Sequence, residues 1–249
     1  AIADSTCPTG REGGASAALG VVQCAMAKSA DPVTVRLAAY ASRRHGVVSF
    51  QELESAGVAA STIHRWIQSG RLFRIHHGVF SIMPPSMLTR EGRWYAAVAA
   101  CGPGAFLSHG PSGQLQGIVD QNLRLALDVS LRERRSAYPR GILVHRPRHL
   151  ELRDTMARRS IPATSATRVV WDLSYTSSPR LVRRTFRQAE KLELLDRDRL
   201  LELCETHPRR KGSGLVRQIL GERVVPLAEV RSWLEELLQT ICADHLLPF

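Results

Sequence analysis

Twenty residues constrain this chain more than any others: STIHRWIQSGRLFRIHHGVF, residues 61–80. On a helical wheel Ile63, Trp66 and Ile67 share one side, while Ser61, His64, Arg65 and Gln68 lie on the side left to solvent or to a partner. Gly70 stops that helix, and the runs Leu72–Ile75 and Val79–Ile82 then read as two strands joined at His76-His77-Gly78. A short amphipathic helix that runs directly into a hairpin belongs to few plans, and the residues upstream narrow them. Val33, Leu37, Tyr40 and Ala41 recur at helical spacing behind Asp31 as N-cap and Pro32 at the first helical position. After Gly46 come Val47-Val48 and a capping box, Ser49 with Glu52, which opens a second short helix closed by Gly57. Ser61 is expected to cap the third.

Three helices followed by a hairpin is the winged helix-turn-helix plan, and it spans residues 31–83. Its charge fits a polyanion. Between Val33 and Ile82 there are six arginines against Glu52 and Glu54. The whole chain carries +11, with 34 Lys+Arg against 23 Asp+Glu, and 31 of those cations are arginine. In this plan the third helix lies in a major groove. Ser61, Thr62, His64, Arg65 and Gln68 then reach base edges and phosphates, and Arg71, Arg74, His76 and His77 meet the flanking backbone of double-stranded DNA. A unit of this shape can also be a protein-binding adaptor.

A proline-broken linker, MPPSM at 83–87, leads to a second unit over 88–222. Thr89 caps a helix that Gly102 stops, and Ser108 starts a shorter one containing Gly110 and Pro111. Strands are expected over 123–131 and 141–149, flanking a basic loop. Nine arginines face three acids between 132 and 160, which argues for an anionic neighbour or a solvated loop. A capped helix follows over 164–174, with Val169, Val170 and Leu173 as core. Along Pro179–Leu192, Arg180, Arg183, Arg184, Arg187 and Lys191 share one sector, and Leu181, Val182, Phe186, Ala189 and Leu192 the opposite one. Such a cationic ridge either tracks a phosphate backbone or is an ordinary exposed face. HPRRKGSG, residues 207–214, lacks the spacing of a phosphate-binding loop and reads as a basic turn. A last helix is expected from about Leu227. The fold class is therefore α+β: a winged helix-turn-helix, a mixed α/β second domain and C-terminal helices.

The chemistry of catalysis is not legible. No G-x-S-x-G, H-E-x-x-H or acidic metal cluster occurs, so no catalytic residue, metal or cofactor is expected. Ser108-His109 has no orienting carboxylate in sight and reads as a cap beside a partly buried histidine, and Arg168 with Asp172 reads as an i,i+4 ion pair. Five widely spaced cysteines without C-x-x-C argue for neither disulfides nor zinc and suit a reducing cytoplasm. No run approaches the length of a membrane span. Residues 15–27 imitate a short signal-peptide core, but weak hydrophobicity and Glu12 in the flank favour a flexible extension over 1–30, with Met26 as a start.

The segments His45-Gly46-Val47-Val48, Gly57-Val58, Gly70-Arg71-Leu72 and Arg74…Gly78-Val79-Phe80 resemble the N-terminal domain of AbiEi-type antitoxins of type IV toxin–antitoxin pairs. REGRWYAAVAACGPGAFLSH, IPATSATRVVWDLS and HPRRKGSGLVRQIL are similar to the segments that follow in such proteins. The resemblance implies an autorepressor that binds operator repeats, with a nucleotidyltransferase-like toxin encoded nearby; a homodimer on DNA is the assembly expected on such repeats. SHGPSGQLQG departs from it, with Gly110 and Pro111 where relatives tend to have a more regular helix. The tail, RSWLEELLQTICADHLLPF, resembles the first helix of a nuclease domain akin to very-short-patch-repair endonucleases, with Glu235 at the place of the helix glutamate. A Mg-dependent endonuclease is the alternative this raises. One helical glutamate without clustered carboxylates is insufficient for metal-assisted cleavage, so 226–249 reads as a truncated remnant.

Overall fold

The computed structural model describes residues 37, 39, 41–133 and 138–221. Most of the first helix, the 1–30 extension and the C-terminal segment over 226–249 with Glu235 lie outside the described residues. The fold class is α+β, as the sequence implies.

The first unit opens on a helix that ends at Arg43 and buries Leu37 and Ala41. Gly46, at φ +83°, turns the chain into strand β1, Val47–Ser49. There Val47 and Val48 are fully buried, as β-branched residues favour. Ser49 then caps helix α1, Phe50–Ser55, through the expected box: its hydroxyl accepts from the Glu52 N–H at 3.3 Å, and the Glu52 carboxylate accepts from the Ser49 N–H at 2.9 Å. Arg44 pairs with the same glutamate, tying the first helix to the second.

Helix α2 runs Ala60–Gln68, with Ala59 at the N-cap and no side-chain cap. Ser61 is thus already within the first turn and exposed, and the expectation that it caps the helix is corrected. The Ala59 carbonyl accepts from Thr62 and Ile63 instead, so the helix starts before Ser61. The hairpin pairs β2, Phe73–His76, with β3, Val79–Ser81, and β1 adds to β3 to give the order β1-β3-β2. Leu72, expected in the first strand, gives its N–H to the Trp66 carbonyl at 3.1 Å. That bond closes the helix and delays the ladder by one residue. The turn is His77-Gly78, with Gly78 at φ +69°.

Helix α3, Arg90–Cys101, joins the two units. Thr89 caps it and Gly102 ends it, as expected. On one side Ala96 meets Val47, Val79, Met83 and Leu88; on the other Trp94, Ala97, Val98 and Cys101 join the core of the second sheet. The approach is close: a Cβ at Gly92 would stand 2.7 Å from Leu88 Cδ1 and 3.0 Å from the His45 carbonyl oxygen. The His45 ring also lies 2.8 Å from the Arg159 carbonyl oxygen, and Arg159 pairs with Glu91 at 2.8 Å.

The second sheet has the order β6-β5-β4-β8-β7, built from β4 (Ala105–Leu107), β5 (Leu127–Leu131), β6 (Ile142–His145), β7 (Thr155–Arg158) and β8 (Ile161–Thr164). β4 runs antiparallel to β5 and parallel to β8; β5 and β6 run parallel. β7 and β8 form a hairpin whose turn residues Arg159 and Ser160 both have positive φ, the left-handed pair that two-residue hairpins use. The strands expected over 123–131 and 141–149 are shorter at both outer ends. Gln114 holds the chain at Asp120 and Leu123 through two 2.8 Å bonds to their carbonyls, and Pro147 lacks the N–H a further ladder bond would need.

Helix α4, His109–Gln116, forms despite Gly110 and Pro111 and is buried throughout. Pro111 falls in the first turn, where its N–H would have no intrahelical partner. The glycines let neighbours come close: a Cβ at Gly113 would stand 2.4 Å from Val119 Cγ2. Among the described residues four further helices follow: α5 (Ala166–Thr176), α6 (Pro179–Lys191), α7 (Arg197–Thr206) and α8 (Ser213–Gly221). Their shared core includes Val169, Val170, Leu173, Phe186, Leu200 and Val216. Leu192, expected on the core side of α6, is 43% exposed. It is the C-cap, and Glu193 at φ +55° turns the chain so that Leu194 packs in its place.

Candidate functional site

Two surfaces collect chemistry: the outer face of the first unit and a cleft in the second. On the first, Ile63 is buried and Trp66 and Ile67 pack against the same core, which fixes the rotation of α2. The opposite face therefore points out. Ser61, His64, Arg65 and Gln68 are exposed and Thr62 half-buried; the Gln68 amide and the His64 ring meet at 3.0 Å. Arg71 and Arg74 are exposed on the approach to and along β2, and His77 is exposed at the turn. His76 is half-buried, and burial pushes its pKa below the ordinary histidine value. The hairpin's charge near neutral pH is thus Arg74's rather than that of His76. Arg65, Arg71 and Arg74 make no ion pair among the described residues.

The ridge on α6 is also present. Val182, Phe186 and Ala189 are buried, while Arg180, Arg184, Arg187 and Lys191 are exposed and Arg183 is half-buried. Arg184 reaches Asp120 at 3.4 Å, an exposed pair of little energetic weight.

The basic stretch over 132–160 divides differently from its sequence pattern. Part of its charge is consumed internally. Arg153 bonds Glu151 at 2.9 Å and Glu202 at 2.6 Å. Asp154, inside the same stretch, is buried and takes both a 2.9 Å Nε and a 2.9 Å Nη2 bond from buried Arg199. Arg168 approaches Asp154 at 3.7 Å and bonds Asp172 at 3.0 Å, the i,i+4 pair expected from spacing. Burial alone would raise the Asp154 carboxyl; the Arg199 hydrogen bonds and charge overcome it and hold the pKa below the usual carboxylate value.

What the sequence did not reveal is a cleft of about 710 Å³ between the end of β6 and helix α5. His109 and His145 stack at its wall, ring centroids 3.8 Å apart and planes inclined by 26°. His145 Nε2 lies 2.7 Å from Asp128 Oδ1, and His109 Nδ1 lies 3.1 Å from the Ser108 hydroxyl. Asp128, on the neighbouring strand, thus orients His145 and not His109, whose ring is stacked on that of His145. Burial pushes the His109 pKa below its ordinary value. The basic turn at 207–214 forms another wall. Gly212, at φ +93°, lets the turn pass so close to α5 that a Cβ there would stand 2.4 Å from the Ser174 carbonyl oxygen. This seats the Arg210 guanidinium 4.4 Å over the Trp171 ring, with a 2.9 Å bond to the Trp171 carbonyl. A parallel register pairing Ser130 with His145 places these residues together, and nothing in their spacing announces it.

Helix, strand, helix, helix and hairpin, with a basic outward face, is the order of elements in the first unit. Residues 35–82 match the model of a family described as transcriptional regulator, AbiEi antitoxin. The match ends at Ile82, before the linker, and does not extend into the second unit. No curated protein matches the chain. Among the described residues, no helix is long and apolar enough to cross a membrane.

Proposed function

We propose that the protein is a sequence-specific DNA-binding repressor of its own operon that serves as the antitoxin of a type IV toxin–antitoxin pair and has no enzymatic activity. The observation that carries this reading is the outward face of α2 and its hairpin. Arg65, Arg71 and Arg74 stand there exposed and without ion pairs among the described residues, inside the segment that matches the antitoxin-regulator family. Arginines left unpaired on a rigid helix and strand are positioned for phosphates and for bidentate contact with guanine. In this reading Ser61, Thr62, His64, Arg65 and Gln68 face the major groove, and Arg71, Arg74, His76 and His77 the flanking backbone. The α6 ridge adds phosphate contacts through Arg180, Arg183, Arg184 and Arg187. Repeated operator sites would be occupied by two copies, and the second unit would provide the antitoxin function toward a nucleotidyltransferase-like toxin, in the cytoplasm.

Footprinting the DNA upstream of the gene tests the reading. Protection of a discrete repeated sequence, lost at high salt, is the expected result. Equal affinity for unrelated duplexes, or no retention of DNA at low salt, contradicts it.

A further inference from the structure

The cleft of the second unit holds cations of two kinds. Arg168 and Arg210 are drawn inward to the buried Asp172, at 3.0 and 3.8 Å, so much of their charge is compensated. Arg146 and Arg148 are exposed on the segment that leaves β6, two residues apart, and make no ion pair among the described residues. Two arginine forks on one rim of a concave site, over a floor whose acid is already engaged, are suited to an anion with several acceptor oxygens.

The lining of the cleft is also aromatic. Tyr175 stands at the mouth, 52% exposed, on the helix whose inner face carries Trp171. Arg210 and Lys211 approach its ring at 5.5 and 5.6 Å, and a ring exposed in this way offers a stacking surface for a planar base. At about 710 Å³ the space exceeds what a lone phosphate fills and falls in the range of about 300–1,000 Å³ typical of small-ligand sites.

We propose that this cleft binds a nucleotide, its phosphate held by Arg146 and Arg148 and its base laid against Tyr175. The Asp128–His145 pair, backed by the stacked His109, fixes one wall. His109, Asp128 and His145 bring their ligand atoms within 4.8 Å of one another, as a metal site would. The near-parallel stack argues against one, because an imidazole binds a metal in its own plane and two rings inclined by 26° at 3.8 Å have planes that meet well beyond bonding distance. The nucleotide is either free or the terminal residue of a strand; the chemistry recognised is the same.

Calorimetric titration of the full 249-residue chain decides, with adenosine 5′-monophosphate, inorganic phosphate and a 5′-phosphorylated single-stranded tetranucleotide as probes. Saturable one-to-one binding of the monophosphate or the tetranucleotide is expected, with inorganic phosphate weaker by about tenfold or more. The tighter of the two organic probes identifies the source. The double variant Arg146→Ala/Arg148→Ala is expected to lose about tenfold or more in affinity; both side chains are exposed, and an unchanged melting temperature would show that the fold is kept. Tyr175→Leu is expected to weaken the organic probes and to leave inorganic phosphate unaffected. Absence of saturable binding, full affinity in the double variant, or Tyr175→Leu without effect on either organic probe overturns the proposal. None of the three residues lies in the winged unit, so this outcome is independent of the operator footprint.

Discussion

Arginine does opposite work in the two units. On α2 and the hairpin, Arg65, Arg71 and Arg74 are exposed and have no ion pair among the described residues. Around the short 3₁₀ turn at Leu152–Asp154, Arg199 and Arg168 are buried and answered by Asp154, Asp172, Glu151 and Glu202. The two sets draw on the same arginine-rich composition, yet one is available to a partner and the other is structure. Net charge therefore says little about function until each cation has been matched to an acid. Exposed cations cost the fold almost nothing to lose, whereas a buried pair broken on one side leaves an uncompensated charge.

The sharpest way to break this contrast is Asp154→Ala. It removes the buried acid of the network and leaves Arg199 only the exposed Glu151 and Glu202, and is expected to cost about 3 kcal/mol in urea denaturation; a loss under about 1 kcal/mol would show that the network is not structural. The same network fixes an acid limit. The folded-state pKa values of Asp154, Glu151 and Glu202 all lie below their ordinary values of 3.8, 4.5 and 4.5. Their stabilisation is therefore complete above those values and lost as pH falls through the depressed ones. The urea midpoint should hold steady from neutral pH down to about pH 5 and fall steeply below about pH 4.

On the other side of the comparison, Arg65→Ala should leave stability within about 0.5 kcal/mol of wild type. It should instead weaken operator binding by about 1–3 kcal/mol while leaving nonspecific DNA nearly unaffected, if Arg65 contacts a base edge. Gel-shift titrations with specific and scrambled duplexes separate the two cases. Smaller again is the contrast between two serines. Ser49→Ala removes a capping box and should cost about 1 kcal/mol in denaturation, whereas Ser61→Ala removes no cap and should stay within about 0.5 kcal/mol.

The reach of the sequence follows the same division. Local chemistry was legible: the Ser49/Glu52 box, the Thr89 cap, the Gly57, Gly70 and Gly102 stops and the amphipathic faces of α2 and α6 all lie within a few residues of the groups they serve. The Ser61 cap was misread because Ala59, one of the weakest capping residues, occupies the N-cap, and its carbonyl accepts from Thr62 and Ile63. The cleft was illegible for a different reason. It depends on pairing β5 with β6 in parallel across an intervening loop, on a positive-φ His109 and on a glycine at 212 that admits the basic turn. Each is a long-range condition, and the residues concerned, taken singly, resemble caps, surface histidines and solvated arginines.

On the proposed function, the hairpin and the bend before it sit on phosphates. Salt dependence measures this most directly, since each phosphate contact contributes about 0.9 to the slope of log affinity against log salt. Removing two contacts in Arg71→Ala/Arg74→Ala should flatten the wild-type slope by about 2 while the protein still melts as before. A double variant whose slope matches the wild type would show that these arginines do not touch DNA, and the account of this surface would fail.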